Sequence, residues 1–164
     1  MVAVLKVYEL SGSGAGTDKT SGTVRFKNAN NATVDLVDPV VIPSSGDTPS
    51  FTKQLQLFVA TLPDTQVDDF VVYTDGACVF GTGVSVNASN NGTTYITATR
   101  RQIATNDFFA FVVGTPFDLQ TVASAAVTAT GFCGDILCLQ LVVTASALPG
   151  QKLSETVTFQ YSEI

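Results

Sequence analysis

Histidine is absent from this chain of 164 residues, and so is tryptophan. Histidine is the commonest general acid or base near neutral pH and the commonest metal ligand in proteins. Its absence excludes Ser-His-Asp and Cys-His catalysis and any zinc site built on histidine. The lack of tryptophan, with only four tyrosines, leaves little from which to build an exposed aromatic platform for sugars. These absences favour a structural protein over an enzyme.

Charged residues are also scarce. Asp, Glu, Lys and Arg make up 13% of the chain, about half the usual share. The net charge is −6, and Arg100 and Arg101 are the only adjacent basic residues. Nucleic-acid binding requires a clustered positive surface, so we expect no nucleic-acid partner. No apolar run approaches the ~20 residues of a membrane-spanning helix, so we expect no membrane partner. Residues 1–6 lack the basic start of a secretory signal, which predicts synthesis in the cytosol.

Cysteine is used three times, at Cys78, Cys133 and Cys138. The last two are five residues apart, a spacing that a tight turn could close into a disulfide but a straight strand could not. We favour reduced thiols buried in a strand-rich core, with the disulfide left open as the alternative. Three cysteines without histidine make a poor zinc site.

Valine and threonine are the abundant residues, with 22 of each. Both are stiff at Cβ and fit a pleated sheet better than a helix. Short alternating segments separated by turn residues are typical of antiparallel sandwiches. The sequence therefore predicts an all-β fold: one antiparallel β-sandwich domain over residues 1–164, of jelly-roll or immunoglobulin-like type, with eight to ten strands.

The alternation places these strands along the chain. They are predicted at residues 2–10, 23–27, 34–36, 51–61, 67–73, 84–87, 94–98, 131–144 and 157–161, with 123–130 as a further, ambiguous strand. Residues 23–27 and 34–36 would pair as a hairpin that points Arg25 and Lys27 to solvent and Val34 and Leu36 inward. An Asn-Asn-Gly turn at residues 90–92 would form another hairpin. Three phenylalanines at residues 108–111 are predicted as either a short strand or a core-filling loop. The expected core comprises Val24, Phe26, Leu55, Leu57, Phe70, Val72, Leu139, Leu141, Val157 and Phe159.

Few residues remain as candidates for chemistry. Asp64, Asp68, Asp69 and Asp75 gather around one strand and could serve a glycosidase or hold calcium. Their spacing matches no EF-hand, so we interpret them as acidic turn residues on a solvated rim. The glycine-rich segments 11–16 and 81–83 lack the helix that a phosphate loop opens. The sequence therefore predicts no enzyme and no catalytic, cofactor-binding or metal-binding residue. Residues 11–19 are expected to be a flexible arm that becomes ordered on docking, with a flexible surface loop without a partner left open as the alternative.

Several segments resemble small structural proteins encoded by tailed bacteriophages. They are residues 20–29 (TSGTVRFKNA), 33–36 (TVDL), 41–43 (VIP), 73–76 (YTDG), 80–84 (FGTGV) and 154–164 (SETVTFQYSEI). The resemblance covers about a third of the chain and includes no catalytic motif. It implies a virion component, expected on the capsid surface as a decoration or auxiliary protein. The resemblance assigns no known binding residue to any position of this sequence.

The expected partners of such a protein are the major capsid protein and further copies of the chain, as a homotrimer at a three-fold position. A sandwich with weakly charged faces suits this role, because it can close against neighbours without burying unpaired ions. Four alternatives remain open: a phage tail or adaptor component, a carbohydrate-binding or adhesive sandwich, a sandwich from a bacterial surface layer or pilus, and an Asp-based hydrolase. Exposed aromatic side chains would favour the carbohydrate-binding protein.

Overall fold

The computed structural model describes residues 2–62, 65–101, 106–123 and 125–164, which form ten strands and one 3-10 turn. The strands are β1 Val4–Glu9, β2 Thr17–Asp18, β3 Asp47–Pro49, β4 Lys53–Thr61, β5 Val67–Tyr73, β6 Val84–Asn90, β7 Asn106–Asp107, β8 Phe117–Asp118, β9 Gly131–Thr144 and β10 Thr158–Glu163. The 3-10 turn spans Phe108–Ala110. Within these ranges, no helix has the length and apolar character needed to cross a membrane.

The strands form two antiparallel sheets that pack face to face. The larger sheet has the order β2-β1-β4-β9-β6-β7, with β3 pairing to one end of β9, and the smaller sheet has the order β10-β5-β8. Leu57 and Leu139 from the larger sheet share one buried cluster with Phe70 and Val72 from the smaller sheet. The predicted all-β antiparallel sandwich is confirmed.

β9 is the central strand of the larger sheet. It is 14 residues long and pairs with β3, β4 and β6. Leu137 and Leu139 enter the core between the sheets, whereas Ile136 and Cys138 contact Leu10 in a second cluster. Because both faces of β9 are covered, its sequence is a nearly continuous apolar run rather than an alternating one.

Most of the predicted strands are confirmed. β1, β4, β5, β6, β9 and β10 lie at the predicted segments 2–10, 51–61, 67–73, 84–87, 131–144 and 157–161. Six predicted core residues are buried, namely Leu55, Leu57, Phe70, Val72, Leu139 and Leu141. The other four are half-buried and pack against the edge of the core, namely Val24, Phe26, Val157 and Phe159.

The predicted hairpin of residues 23–27 and 34–36 is wrong, because no strand forms between β2 and β3. Single hydrogen bonds replace a ladder there: Phe51 N donates to the Lys27 carbonyl at 3.0 Å and Asn28 N to the Asp38 carbonyl at 2.7 Å. Lys27, predicted to face solvent, is 1% exposed, whereas Val34 and Leu36, predicted to face inward, are 48% and 68% exposed. An alternating sequence favours an extended segment, but it does not specify a neighbouring strand with which that segment can pair.

Two other segments also differ from the prediction. Residues 94–98 form no strand, and among residues 123 and 125–130 only a single bridge, from Val127 to Val67, is present. Of the two alternatives for the phenylalanine segment, the structure selects the core-filling loop: Phe108 and Phe109 are buried in the 3-10 turn. Ile96 bonds to the Gln54 side chain of β4, and Val127 bonds to the backbone of Val67 in β5, in place of a continuous ladder.

Candidate functional site

An ion pair is buried where β1 and β4 run side by side. Lys53 Nζ lies 2.9 Å from Glu9 Oε1, and both side chains are 1% exposed. Glu9 pairs in register with Leu55, so Lys53 is two residues along the neighbouring strand and on the same face. This is the face on which Val7 and Leu55 contact the core. The pair therefore lies at one end of the core rather than on the surface.

Lys53 and Lys19 also bind the backbone of the segment that follows Lys27. Lys53 Nζ donates to the carbonyl of Asn31 at 2.5 Å, and Lys19 Nζ donates to the carbonyl of Ala32 at 2.8 Å. Lys19 Nζ is also 3.6 Å from the second carboxylate oxygen of Glu9. Burial lowers the pKa of Lys53. The negative charge of Glu9 opposes this shift, and the positive charges of Lys27 and Lys19 add to it. Two ammonium groups, that of Lys53 in β4 and that of Lys19 directly after β2, thus hold two consecutive carbonyls.

Lys27 holds Asn31, Thr33 and Asp35 of the same segment through their side chains. Its ammonium donates to Asn31 Oδ1 at 3.3 Å, to Thr33 Oγ1 at 3.1 Å and to Asp35 Oδ1 at 2.6 Å. The hydrogen bonds from Lys27 and Thr33 lower the pKa of Asp35 to about 2. Asp35 also accepts a hydrogen bond from the backbone N–H of Val37 at 3.0 Å. The segment is irregular, but it is closely fixed by these contacts.

We call residues 31–41 the docking loop. Its exposed aliphatic residues are Val34 at 48%, Leu36 at 68%, Val37 at 62% and Val41 at 61% relative exposure. Val40, within the same loop, packs against the core instead. Four exposed aliphatic residues within eleven positions are a concentration of apolar side chains, and large exposed apolar patches mark interaction sites. The docking loop is therefore a fixed segment that presents apolar side chains outward.

The predicted flexible arm, residues 11–19, has a definite structure. Thr17 and Asp18 form β2 against β1, and Tyr95 donates its hydroxyl hydrogen to the Gly12 carbonyl at 3.1 Å. A Cβ at Gly16, where φ is +83°, would lie 2.9 Å from a ring carbon of Tyr8. Glycine is required there by close approach to an aromatic ring as well as by backbone conformation. The expectation of a free arm is wrong, because the arm packs on the outer face of the larger sheet.

The aspartates considered as candidates from the sequence form separate local hydrogen bonds. Asp68 Oδ1 accepts from the N–H of Asp69 at 3.0 Å and also from the side chain of Gln120. Asp75 Oδ1 accepts from the N–H of Ala77 at 2.9 Å. Asp64 lies outside the described residues. Among those described, no group of three or more Cys, Asp or Glu side chains is arranged to hold a metal ion.

The cysteines are free thiols. Cys133 and Cys138 are buried in β9, as predicted, and burial raises the pKa of each thiol to about 12. Cys78 is exposed, so the expectation of burial is wrong for that residue.

A second candidate site lies on the outer face of the larger sheet. The rings of Tyr8, Phe58 and Phe132 contact one another with centroids 5.2 to 5.6 Å apart, and Phe132 is 45% exposed. Phe132 and Tyr95 line an open cavity of about 540 Å³. This volume falls in the range of small-molecule sites, about 300–1,000 Å³. An exposed ring beside a cavity can stack on a sugar or on another apolar group.

Sequence reasoning missed the buried lysines and Glu9. A usable signal was present, because Glu9 continues the inward positions of Leu5 and Val7, and Lys53 precedes Leu55 by two residues. In a strand, residues two apart share a face, so both charges were placed on the core side. Comparison with known proteins adds no relative: no protein-family model, curated protein or solved structure matches this chain.

Proposed function

We propose that this protein is a non-enzymatic structural protein of a virion, a decoration or auxiliary protein that binds the capsid surface and stabilises the head. Its partners would be the major capsid protein and further copies of itself. The observation that supports this most is the docking loop, in which four exposed aliphatic side chains lie on a segment fixed by buried lysines. The phage-like segments support the same assignment, since residues 33–36 and 41–43 lie within or overlap this loop.

The physical advantage of a fixed loop is that little order has to be gained on binding. Immobilising a flexible segment costs conformational entropy, and a preorganised surface avoids much of that cost. Lys53, Lys19 and Lys27 restrain the backbone and side chains of residues 31–35 from beneath. The apolar area of Val34, Leu36 and Val37 is then available to be removed from water at about 25 cal/mol per Å².

The charges of the loop define the partner surface further. Asp35 and Asp38 flank the aliphatic side chains, and Asp38 is exposed. The ammonium of Lys27 lies under the loop at 1% exposure and so adds no accessible cation. A complementary surface on the capsid would present an apolar depression with basic residues at its rim, because opposite charges favour encounter and register.

The test uses heads that lack this protein, mixed with purified protein and sedimented. Wild type should cosediment and should raise the temperature at which the heads release DNA, because a ligand of the intact shell stabilises it by linkage. Leu36→Asp should abolish both effects. Leu153→Asp is the matched control, since Leu153 is 71% exposed and lies outside the docking loop.

The controls separate a folding defect from a lost contact. Circular dichroism must show that both variants fold like wild type. Failure of the wild-type protein to cosediment would overturn the proposal. Equal loss of binding in Leu36→Asp and Leu153→Asp would show that the docking loop is not the surface that binds the capsid.

Carbohydrate binding is the second candidate, favoured by the aromatic group of Tyr8, Phe58 and Phe132 beside the cavity. A glycan array would test it directly. Specific retention of a glycan that Phe132→Ala abolishes and Leu36→Asp preserves would support this function. An array without hits would exclude it for the glycans displayed.

A further inference from the structure

β10 is an unusually long edge strand. Among the described residues, the sheets end at β2, β7, β8 and β10. β2, β7 and β8 have two residues each, whereas β10 has six. Natural sheets keep edge strands short or block them, because an unpaired edge can add a strand from another chain. β10 is therefore the longest of the four terminal strands; in the larger sheet, β2 and β7 each cover only two residues of β1 and β6.

The side chains of β10 do little to block its free edge. Thr158 and Gln160 are exposed and uncharged, and Phe159 and Tyr161 are half-buried toward the core. The strand contains no lysine and no proline, the residues that most often protect an edge. Its only charge is Glu163 at the last position, where the carboxylate accepts a hydrogen bond from Ala3 N at 2.9 Å.

A bulge interrupts the pairing of β10 with β5, but the extra residue belongs to β5. Gln160 pairs with Val71 and Ser162 pairs with Asp68, so two residues of β5 oppose Tyr161 alone. Asp69, one of those two, has φ +54°. β10 itself therefore keeps a regular alternation along its free side, as pairing with a further strand requires.

Exposed aliphatic side chains lie at the end of this edge. Ala3 is tied to β10 by its N–H bond to Glu163 and by the Tyr161 hydroxyl, which donates to the Ala3 carbonyl at 3.4 Å. Val2 and Val4, on either side of Ala3, are 74% and 48% exposed, and Ile164 directly after β10 is 63% exposed. Val2, Val4 and Ile164 therefore add exposed apolar side chains close to the end of the unpaired strand.

We infer that β10 pairs antiparallel with β10 of a second copy of this chain about a two-fold axis. Opposed residues in an antiparallel pair place their side chains on the same side of the sheet, so exposed positions must face exposed positions. A two-fold axis at Gln160 meets this condition. It sets Gln160 opposite its own copy and Phe159 opposite Tyr161.

In this pairing, no two residues of like charge face each other. With the axis at Gln160, Thr158 lies opposite Ser162 and no acidic residue opposes another. The two small sheets join into one sheet of six strands, and the half-buried Phe159 and Tyr161 rings extend the core across the junction. Such an interface is isologous and closes at two copies. It is a different contact from the trimer expected on a capsid lattice.

The experiment is sedimentation equilibrium of the purified protein over a wide concentration range. A chain of 17.2 kDa should behave as a dimer of twice that mass. Gln160→Lys should give a monomer, because it places two lysines directly opposite each other. Gln151→Lys, the same change at an exposed residue outside the strand, should remain dimeric.

A charge-swap mixture distinguishes pairing from simple loss of fold. Gln160→Lys and ¹⁵N-labelled Gln160→Glu should each be monomeric, and their mixture should form a heterodimer detected by native mass spectrometry. A monomeric wild-type protein, a trimer, or a Gln160→Lys variant as dimeric as wild type would each overturn the inference. Capsids take no part in this measurement, so its result is independent of the proposed function.

Discussion

Lys53 Nζ and Glu9 Oε1 lie 2.9 Å apart, with each side chain 1% exposed. In a chain that is only 13% charged, this pair and the adjacent Lys19 and Lys27 place three of the five lysines in one buried network. Buried ion pairs contribute little net stability compared with apolar residues of similar size. The network instead determines the position of the docking loop, to which all three ammonium groups donate.

Breaking the Glu9–Lys53 pair should strongly destabilise the fold. Lys53→Met leaves the Glu9 carboxylate buried, and the free energy of unfolding should fall by about 3–5 kcal/mol. The double variant Glu9→Leu/Lys53→Met should lose less than the sum of the two single variants, because neither charge is then left alone. Urea denaturation of the four proteins measures this cycle, and additive losses would show that the two side chains act independently.

The ion pair between Lys27 and Asp35, which holds the docking loop, should persist to low pH. Lys27 holds the pKa of Asp35 at about 2, against about 3.9 in an unfolded chain. A depressed carboxyl pKa contributes stability above the unfolded value, and that stability is lost as pH falls from about 4 through about 2. An NMR titration of the Asp35 carboxyl carbon should give the low value in wild type and a value closer to 3.9 in Lys27→Met. An unshifted titration in wild type would contradict the ion pair.

Asp69 should accept glycine without a loss of stability. Its φ of +54° lies in the left-handed region, where a residue with a Cβ is disfavoured by about 1–2 kcal/mol. Asp69→Gly should therefore leave the melting temperature unchanged or raise it, whereas Asp69→Val should lower it, because a β-branched residue fits this region worst. A lower melting temperature for Asp69→Gly than for Asp69→Val would refute the bulge geometry.

Two phenylalanines on neighbouring strands should differ in their contribution to stability. Phe70 on β5 is 0% exposed, and Phe70→Ala should cost about 3–5 kcal/mol. Phe159 on β10 is half-buried, so Phe159→Ala should cost less, because less apolar area leaves water when it folds. Chemical denaturation of both variants compares them directly. An equal or larger cost at Phe159 would place it deeper in the core than the structure has it.

The amino-acid sequence alone determined the strands whose signal is local. Val and Thr content, the apolar run of β9 and the alternation of β4 and β10 depend only on which residues are neighbours in the chain. These patterns predicted the all-β sandwich, the six longer strands and six of the buried core residues. The same patterns carried no information on pairing partners or on which edge strand is left unpaired.

The tertiary structure decided what happens to residues 23–41. Val24 and Phe26 alternate like a strand, yet the segment lies across the end of the core with no strand beside it. Lys27 is buried because Asn31, Thr33 and Asp35 supply its acceptors, and Leu36, the residue after Asp35, is exposed. Burial of a charge depends on acceptors brought together in space, whereas alternation describes only the residues adjacent along the chain. The docking loop could therefore be recognised only from the folded molecule.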